Sequence, residues 1–312
     1  MGSTFVSSAI ISLIVTEPEA GLSLGAIVAN RFGERGRQAA IRGGLWQHGR
    51  RVSADTPARA GETLLVRLPP VGGYRDAPLT LNHIIYEDDD LLVINKPPAC
   101  YTGDTPWDTQ GSVLAVARRL LTERDGLVPT LHLAHQLDAG TSGILVISKH
   151  PRANAPLQAA FNHGQVDKRY LALCAGHPPT ATELITGHGR AAAGRWRLYE
   201  QAEIGKVLPN GQRVKRAHTQ IELRRQYGDV ALVWAKPLTG RTHQIRLHLV
   251  ALGCPLLGDE RYGGPTTVAG MLIPHPLLHA AELALPHPRS GRLLNIFCPP
   301  PSIFTGVLKC FG

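Results

Sequence analysis

Aromatic residues are scarce, only 5% of the 312-residue chain. A single-strand binder built on stacked rings is therefore not the first expectation, because such proteins line their grooves with aromatics. Cysteine is scarce too, with five residues at positions 100, 174, 254, 298 and 310. No two are close enough for a CxxC pair, which excludes a zinc knuckle, and the odd count argues against a disulfide framework. A reducing, cytoplasmic setting is expected. Long apolar runs are missing. Residues 9–15 are too few to span a membrane, and no Lys or Arg precedes them as a secretory leader requires. That segment reads as a buried strand or a disordered start. No HExxH motif occurs. His275 and His279 are spaced i,i+4, but Pro274 and Pro276 break any helix there, and His132 and His135 are spaced i,i+3. These histidines read as structural hydrogen-bonding groups, and no metal site is expected.

What the chain does contain is a core and a positive charge. Hydrophobic residues make up 43% and charged residues 18%, with 33 Lys and Arg against 24 Asp and Glu, a net charge of +9. This composition excludes a disordered chain. The basic excess suggests a polyanionic partner.

The run Pro69-Pro70-Val71-Gly72-Gly73 follows a strand-like Thr63-Leu64-Leu65-Val66-Arg67-Leu68 and marks a boundary. Two domains are expected, residues 1–75 and 76–312. In the first, residues 22–32 and 35–41 read as helices, and residues 45–52 as a strand, a glycine turn and a strand. Six arginines and one acid, Glu34, fall between Arg31 and Arg51. Guanidinium groups grip phosphate bidentately. Arg35, Arg37, Arg42, Arg50 and Arg51 are therefore candidate RNA-backbone contacts, with an ordinary solvated basic face as the equal alternative.

In the second domain, two apolar strands flank Glu87-Asp88-Asp89-Asp90, so a hairpin is expected and its acidic run reads as a solvated turn. Helices are expected over residues 113–121 and 153–161, and strands over 144–148 and 170–175. Strands and helices mix without βαβ alternation, which favours an α+β fold.

Three segments hold the candidate chemistry. His135-Gln136-Leu137-Asp138-Ala139-Gly140-Thr141-Ser142-Gly143 places one carboxylate in a tight loop of small residues before a strand. Such an aspartate is also a common turn former. Lys236-Pro237-Leu238-Thr239-Gly240-Arg241-Thr242-His243-Gln244-Ile245-Arg246 becomes helical after Gly240. A cation at a helix start opposes the dipole, so a buried carboxylate partner would explain Arg241. Otherwise both arginines meet solvent or phosphate. Asp167-Lys168-Arg169-Tyr170 puts a tyrosine at a strand start, which alone reads as half-buried packing.

Two resemblances follow from these residues. Helix, helix, "AIRGGLWQHGRRV" and "RAGETLLVRL" resemble the alpha-L RNA-binding domain shared with ribosomal protein S-four, with Gly61-Glu62 where that family has Gly-Asp and Gln47-His48-Gly49 where it has Val-Asn-Gly. "NKP" at 95–97, "HQLDAGTSG", "KRYLAL", "GRTHQIRLHL", "GCPLLGDERYG" and "LLHAAELALPHP" come in the order of the RluA family of pseudouridine synthases. This second resemblance spans roughly residues 80–300. It implies a mixed, largely antiparallel central sheet with flanking helices and loops, and isomerisation of selected uridines in RNA without cofactor or metal. It places Asp138 as the catalytic aspartate, Tyr170 as the tyrosine against the target base, and Arg241 as the arginine paired with the aspartate. Ile245 falls in the apolar lining, and Lys96 and Arg246 read as structural or phosphate-facing. Gln136 stands where the family has an arginine that enters the RNA stack, which bears on target choice. Whether the carboxylate acts as nucleophile or as base at the ribose stays open. Large-subunit ribosomal RNA is the expected substrate and a monomer the expected state. Transfer RNA, a non-catalytic assembly factor and a nucleoside-level glycosidase are the alternatives.

Overall fold

The computed structural model describes residues 9–70, 73–191 and 195–311. The chain forms two compact units. Of the described residues, one holds those up to Leu79 together with Cys100–Val128, and the other holds Thr80–Ala99 with those from Pro129 onward. The expected single cut near residue 75 therefore needs correction, because residues 100–128 return to the first unit.

In the first unit β1 (Ile10–Ile14) pairs with β4 (Thr63–Arg67), which pairs with β2 (Leu45–Gln47), which pairs with β3 (Arg50–Arg51). The two expected helices run together as α1 (Leu24–Ile41), with a kink between them at Gly33, whose φ of 59° no helix interior adopts. Ser23 caps it through its hydroxyl, which accepts the Ala26 N–H. Leu24, Ile27 and Val28 meet Leu45, Leu64 and Val66 in a core. Each such side chain contributes about 1.5–3 kcal/mol when fully buried. The helix α2 (Val113–Asp125) belongs to this unit.

Charge pairing ties the returning segment down. Arg42 Nε and Nη2 donate to Asp108 Oδ1 and Oδ2 at 3.0 and 2.7 Å, and Nη2 also reaches Asp76 at 2.6 Å. Arg119 donates to the other oxygen of Asp76 at 2.7 Å. Arg51 donates to the Thr105 carbonyl at 2.7 Å and lies over the Trp46 ring. Arg42 and Arg51 are therefore removed from the set of exposed phosphate-binding arginines: Arg42 is paired with Asp108 and Asp76, and Arg51 is turned into the unit, with Nη2 on the Thr105 carbonyl and Nη1 buried. Arg35, Arg37 and Arg50 are exposed.

The second unit is built on a mixed sheet. Its strands are β5 (Ile84–Glu87), β6 (Leu91–Lys96), β7 (His132–Leu133), β8 (Ser142–Ser148), β9 (Asp167–Ala175), β10 (Ala181–Arg190), β11 (Trp196–Tyr199), β12 (Lys215–Tyr227), β13 (Val230–Pro237), β16 (Leu278–Pro286) and β17 (Leu293–Phe297). The order is β11-β10-β12-β13-β9-β16-β8-β6-β5, with β17 beside β16 and β7 beside β8. Every neighbouring pair is antiparallel except β16 with β8. β14 (Thr267–Val268) and β15 (Met271–Leu272) form a separate hairpin. The helices α3 (Pro151–Asn162), α4 (Gln244–Ala251) and α5 (Ser302–Lys309) flank the sheet. This is the α+β arrangement expected.

Strand β8 sits centrally and all seven of its residues are buried. Its Ile144, Val146 and Ile147 suit a pleated core, since β-branched side chains pack well there. Gly143 has φ 106°, and a Cβ at this position would lie 2.3 Å from the Ala280 carbonyl oxygen. Only glycine lets β8 approach β16 this closely.

The acidic turn between β5 and β6 is not simply solvated. Asp90 is 1% exposed and accepts hydrogen bonds from Arg152 at 2.8 Å and Arg289 at 2.6 Å. Asp88 accepts from Tyr86 at 2.5 Å and bonds His287 at 2.9 Å. Asp89 alone is the solvated member, at 84% side-chain exposure. Arg152 and Arg289 account for the buried Asp90, and Tyr86 and His287 for the half-buried Asp88.

Candidate active site

The loop that ends at β8 carries Asp138. It is closed by the Thr141 N–H donating to the Asp138 carbonyl at 3.0 Å. A Cβ at Gly140 would meet the Pro276 ring at 2.7 Å, so the small residue allows the loop to seat. Lys96, at the end of β6, is wholly buried, and its ammonium donates to the carbonyls of Pro97, Ala139 and Thr141 at 2.9, 3.2 and 2.8 Å. Of the two roles open to Lys96, the structure places it in the loop scaffold and away from solvent phosphate. Its charge also lies close enough to draw the Asp138 carboxyl downward.

His135 anchors the other end. Its Nε2 accepts the Val146 N–H at 3.0 Å and its ring stacks on Phe161, 4.7 Å between centroids. Burial pushes this imidazole down to about 3, so it is neutral. Gln136, between these two anchored residues, is exposed. His279 bonds Ser142 at 2.8 Å and the Cys298 carbonyl at 3.0 Å, and His275 bonds the Pro276 carbonyl. His135, His275 and His279 thus have hydrogen-bonding roles.

The arginine that faces Asp138 is Arg246, with Nη1 3.6 Å from Asp138 Oδ2. The expected pairing with Arg241 is corrected by this geometry. Arg241 precedes α4, which begins at Gln244, and its Nε donates to the Arg216 carbonyl at 2.9 Å. The helix period explains the exchange: the residue that turns inward to the loop lies one residue past Ile245. Arg246 is buried and bidentate to Asp259, with Nε and Nη2 donating at 2.7 and 2.8 Å. Its guanidinium also lies over the Tyr262 ring, 4.9 Å from the centroid. One cation thus sits between two carboxylates, one fully paired and one left at longer range.

Gln244 fixes the approach to the helix. Its Oε1 accepts the Thr239 hydroxyl and the Arg241 N–H, and its Nε2 donates to the His218 carbonyl and the Thr219 hydroxyl. All four capacities of this buried amide are used, as burial of a polar group demands. The next turn packs Ile245 into a cluster with Ala172, Ala235 and Leu249, against which Tyr170 lies.

Tyr170 stands opposite Ala235 on β13 and Ala280 on β16. Its two cross-strand partners are small, and such partners share a face, so only methyl groups flank its ring from β13 and β16. Burial, then the charge of Asp138, push its hydroxyl well above the ordinary phenol range, so it stays protonated. Asp138 itself is raised by burial, opposed first by Arg246 and then by Lys96. The structure therefore brings Asp138, Tyr170, Arg246, Lys96 and Ile245 to one place and leaves Arg241 at its margin.

Three residues were not singled out by sequence reasoning: His243, Asp259 and Tyr262. His243 Nε2 lies 4.0 Å from Asp138 Oδ2. Asp259 follows Gly258, which has φ 78° and where a Cβ would lie 2.1 Å from the His275 carbonyl oxygen, so no side chain fits. The Gly-Asp pair in "GCPLLGDERYG" was the available signal, since an acid directly after a tight turn that closes an apolar run needs a cationic partner if it is buried.

Residues 90–251 match the model of the RNA pseudouridylate synthase family. RNA pseudouridine synthase 1 of Oryza sativa subsp. japonica is 33% identical over 288 residues, covering 80% of this chain and 81% of that one. The chain belongs to the RNA pseudouridine synthase family. It is accordingly an isomerase. Ribosomal large subunit pseudouridine synthase C of Vibrio cholerae is 34% identical over 266 residues, with 80% and 79% of the two chains covered. The human protein described as RNA pseudouridylate synthase domain containing 4 superposes with a TM-score of 0.61 at 28% identity, covering 74% of this chain and 93% of that one. The family's fold and the mixed, largely antiparallel sheet agree.

Proposed function

We propose that this enzyme isomerises specific uridines in structured RNA, with large-subunit ribosomal RNA as the substrate, and that Asp138 is its reacting carboxylate. The observation that carries the reading is the position of Asp138: on a close-fitting loop, 3.6 Å from a buried arginine that is already neutralised by Asp259. The resemblance to the Vibrio cholerae enzyme supports the choice of RNA.

The chemistry constrains the roles. A uracil within a duplex is inaccessible, so the nucleotide must leave the stack. The bond from uracil N1 to ribose C1′ breaks, the base turns, C5 joins C1′, and the C5 proton leaves as N1 gains one. One ionised carboxylate suffices, as nucleophile or as base at the ribose. Arg246 favours the ionised form without neutralising it outright. Tyr170 and Ile245 offer an apolar face to the uracil and exclude water, which would otherwise hydrolyse the cleaved sugar. Gln136 occupies the exposed point of the loop and fills the space the flipped base leaves. Tritium released from RNA labelled at uracil C5 tests the reading, with ribosomal and transfer RNA transcripts measured separately.

Gln136→Arg is expected to keep tritium release dependent on Asp138 while altering the rate or the preferred uridine. Loss of all activity in a folded variant would exclude an open position for that side chain.

The first unit is proposed to be the RNA-binding domain of the S-four type. Its exposed Arg35, Arg37 and Arg50 support this. Replacing all three with alanine is expected to weaken binding to every RNA tested and to reduce the slope of log K against log salt by about 2, each phosphate contact contributing about 0.7–0.9. An unchanged slope in a filter-binding titration would place the grip elsewhere. Arg42→Ala should lower thermal stability instead, because it strands Asp108.

A further inference from the structure

A second nitrogen-bearing side chain besides Arg246 lies near Asp138. His243 opens α4 with a left-handed backbone, φ 58°, and its carbonyl accepts the Leu247 N–H at 3.0 Å. Few residues other than glycine take this conformation, histidine being among the tolerant ones with asparagine and aspartate. The turn places the ring between two groups. Nδ1 lies 2.7 Å from the Tyr262 hydroxyl, and Nε2 lies 4.0 Å from Asp138 Oδ2. The two rings meet edge to face, 5.5 Å between centroids.

We infer that His243, oriented by Tyr262, is a positioning residue that points an Nε2–H at the Asp138 carboxylate and sets which of its oxygens faces the ribose. This inference rests on Asp138 being the reacting carboxylate.

The tautomer follows from the two neighbours. With the proton on Nδ1, a lone pair on Nε2 would face an anion. With the proton on Nε2, the dipole is favourable and Nδ1 accepts from the Tyr262 O–H. Tyr262 can hold that proton, because burial raises its phenol above the ordinary range. The imidazole stays uncharged: burial first, then Arg246, Arg261 and His188, push it down to about 2. A neutral donor orients a carboxylate without adding to Arg246 and Lys96 a further cation that would trap it. Both contacts, from Arg246 Nη1 and His243 Nε2, fall on Oδ2. Oδ1 is thereby left for the sugar.

Three variants separate this role from packing. His243→Gln keeps an N–H near the place of Nε2, His243→Phe removes it, and Tyr262→Phe removes the hydroxyl but keeps the ring over Arg246. Tritium release would be measured for kcat, KM and pH dependence, beside wild type and Asp138→Asn. His243→Phe should lower kcat about 10- to 100-fold, the weight of one or two hydrogen bonds, with KM unchanged within about threefold. Its acid limb should move to higher pH, since the carboxylate loses a donor while Arg246, Lys96, Asp259 and Tyr170 still face it. His243→Gln should recover most of the rate. Tyr262→Phe should lose less than His243→Phe, and the double variant should be no slower than His243→Phe alone. Nitrogen-15 imidazole shifts of the wild type, assigned by comparison with His243→Gln, should show a neutral ring protonated at Nε2 down to pH 5.

A wild-type kcat in folded His243→Phe, a loss confined to KM, glutamine no better than phenylalanine, or a proton on Nδ1 would each overturn the inference. If wild type itself released no tritium, the proposed function would fall, and the imidazole shifts would still decide the tautomer.

Discussion

Asp138→Asn is expected to lower tritium release by about 10³-fold or more, the scale on which loss of a reacting group acts. RNA affinity should be retained, because the substitution leaves the loop's small residues and the Thr141 turn intact. Stability should move the other way. The ordinary carboxyl value is 3.8, and burial raises that of Asp138 despite Arg246 and Lys96. The folded protein therefore holds this proton more tightly than the unfolded chain does. The resulting cost is absent below the unfolded value, grows as pH rises, and is complete above the raised folded value. Asparagine carries no charge and escapes it, so the variant's Tm at pH 7 should equal or exceed that of wild type. Wild-type activity should fall as pH drops through the raised value, where the carboxylate takes up its proton. A variant with normal turnover would move the chemistry off Asp138. A variant of low activity and sharply lowered Tm would make Asp138 a structural residue.

Arg246→Ala carries the second large effect. Arg246 is 7% exposed and Asp259 is 1% exposed, and their two hydrogen bonds satisfy a buried carboxylate. Breaking a buried ion pair by removing one partner costs about 3–5 kcal/mol, because the remaining charge has no compensation. The Tm should fall by roughly 6–20 °C at about 2–4 °C per kcal/mol for chains of this order of size. Activity should be lost as well, through the missing charge beside Asp138. Arg246→Lys should recover stability only in part, since an ammonium cannot reproduce the two parallel bonds to Asp259 or the planar contact with Tyr262. Arg241→Ala separates the two arginines. Among the described residues its side chain bonds only the Arg216 carbonyl, so its removal should cost less than tenfold in rate and about 1 kcal/mol or less in stability. Equal losses at the two positions, measured by thermal unfolding and tritium release, would contradict the pairing described here.

The order of motifs, the hairpin of β5 and β6, the strand β8 and the helices α2 to α4 were legible in the chain, because hydrophobic period and turn residues are local properties. The loop of small residues around Asp138 was legible too, being contiguous, while the choice of its carboxylate came from the motif. Tyr170 was legible through its motif; its alanine neighbours come from strands far away in sequence. Arginine assignments failed where they depended on geometry across elements. Arg241 and Arg246 differ by five positions, and only the start of α4 at Gln244 decides which of them turns toward the loop. Arg42 and Arg51 read as free cations because Asp76, Asp108 and Thr105 lie at least 34 residues away and return only on folding. Asp90 read as a solvated turn for the same reason, since Arg289 is 199 residues distant. Local sequence thus carries the elements, the loop and the identity of the chemistry, all of which depend on neighbours within a turn or two. Charge pairing acts through space across the folded chain, and the partners of Asp138, Arg42 and Asp90 were therefore set by the packing of distant segments.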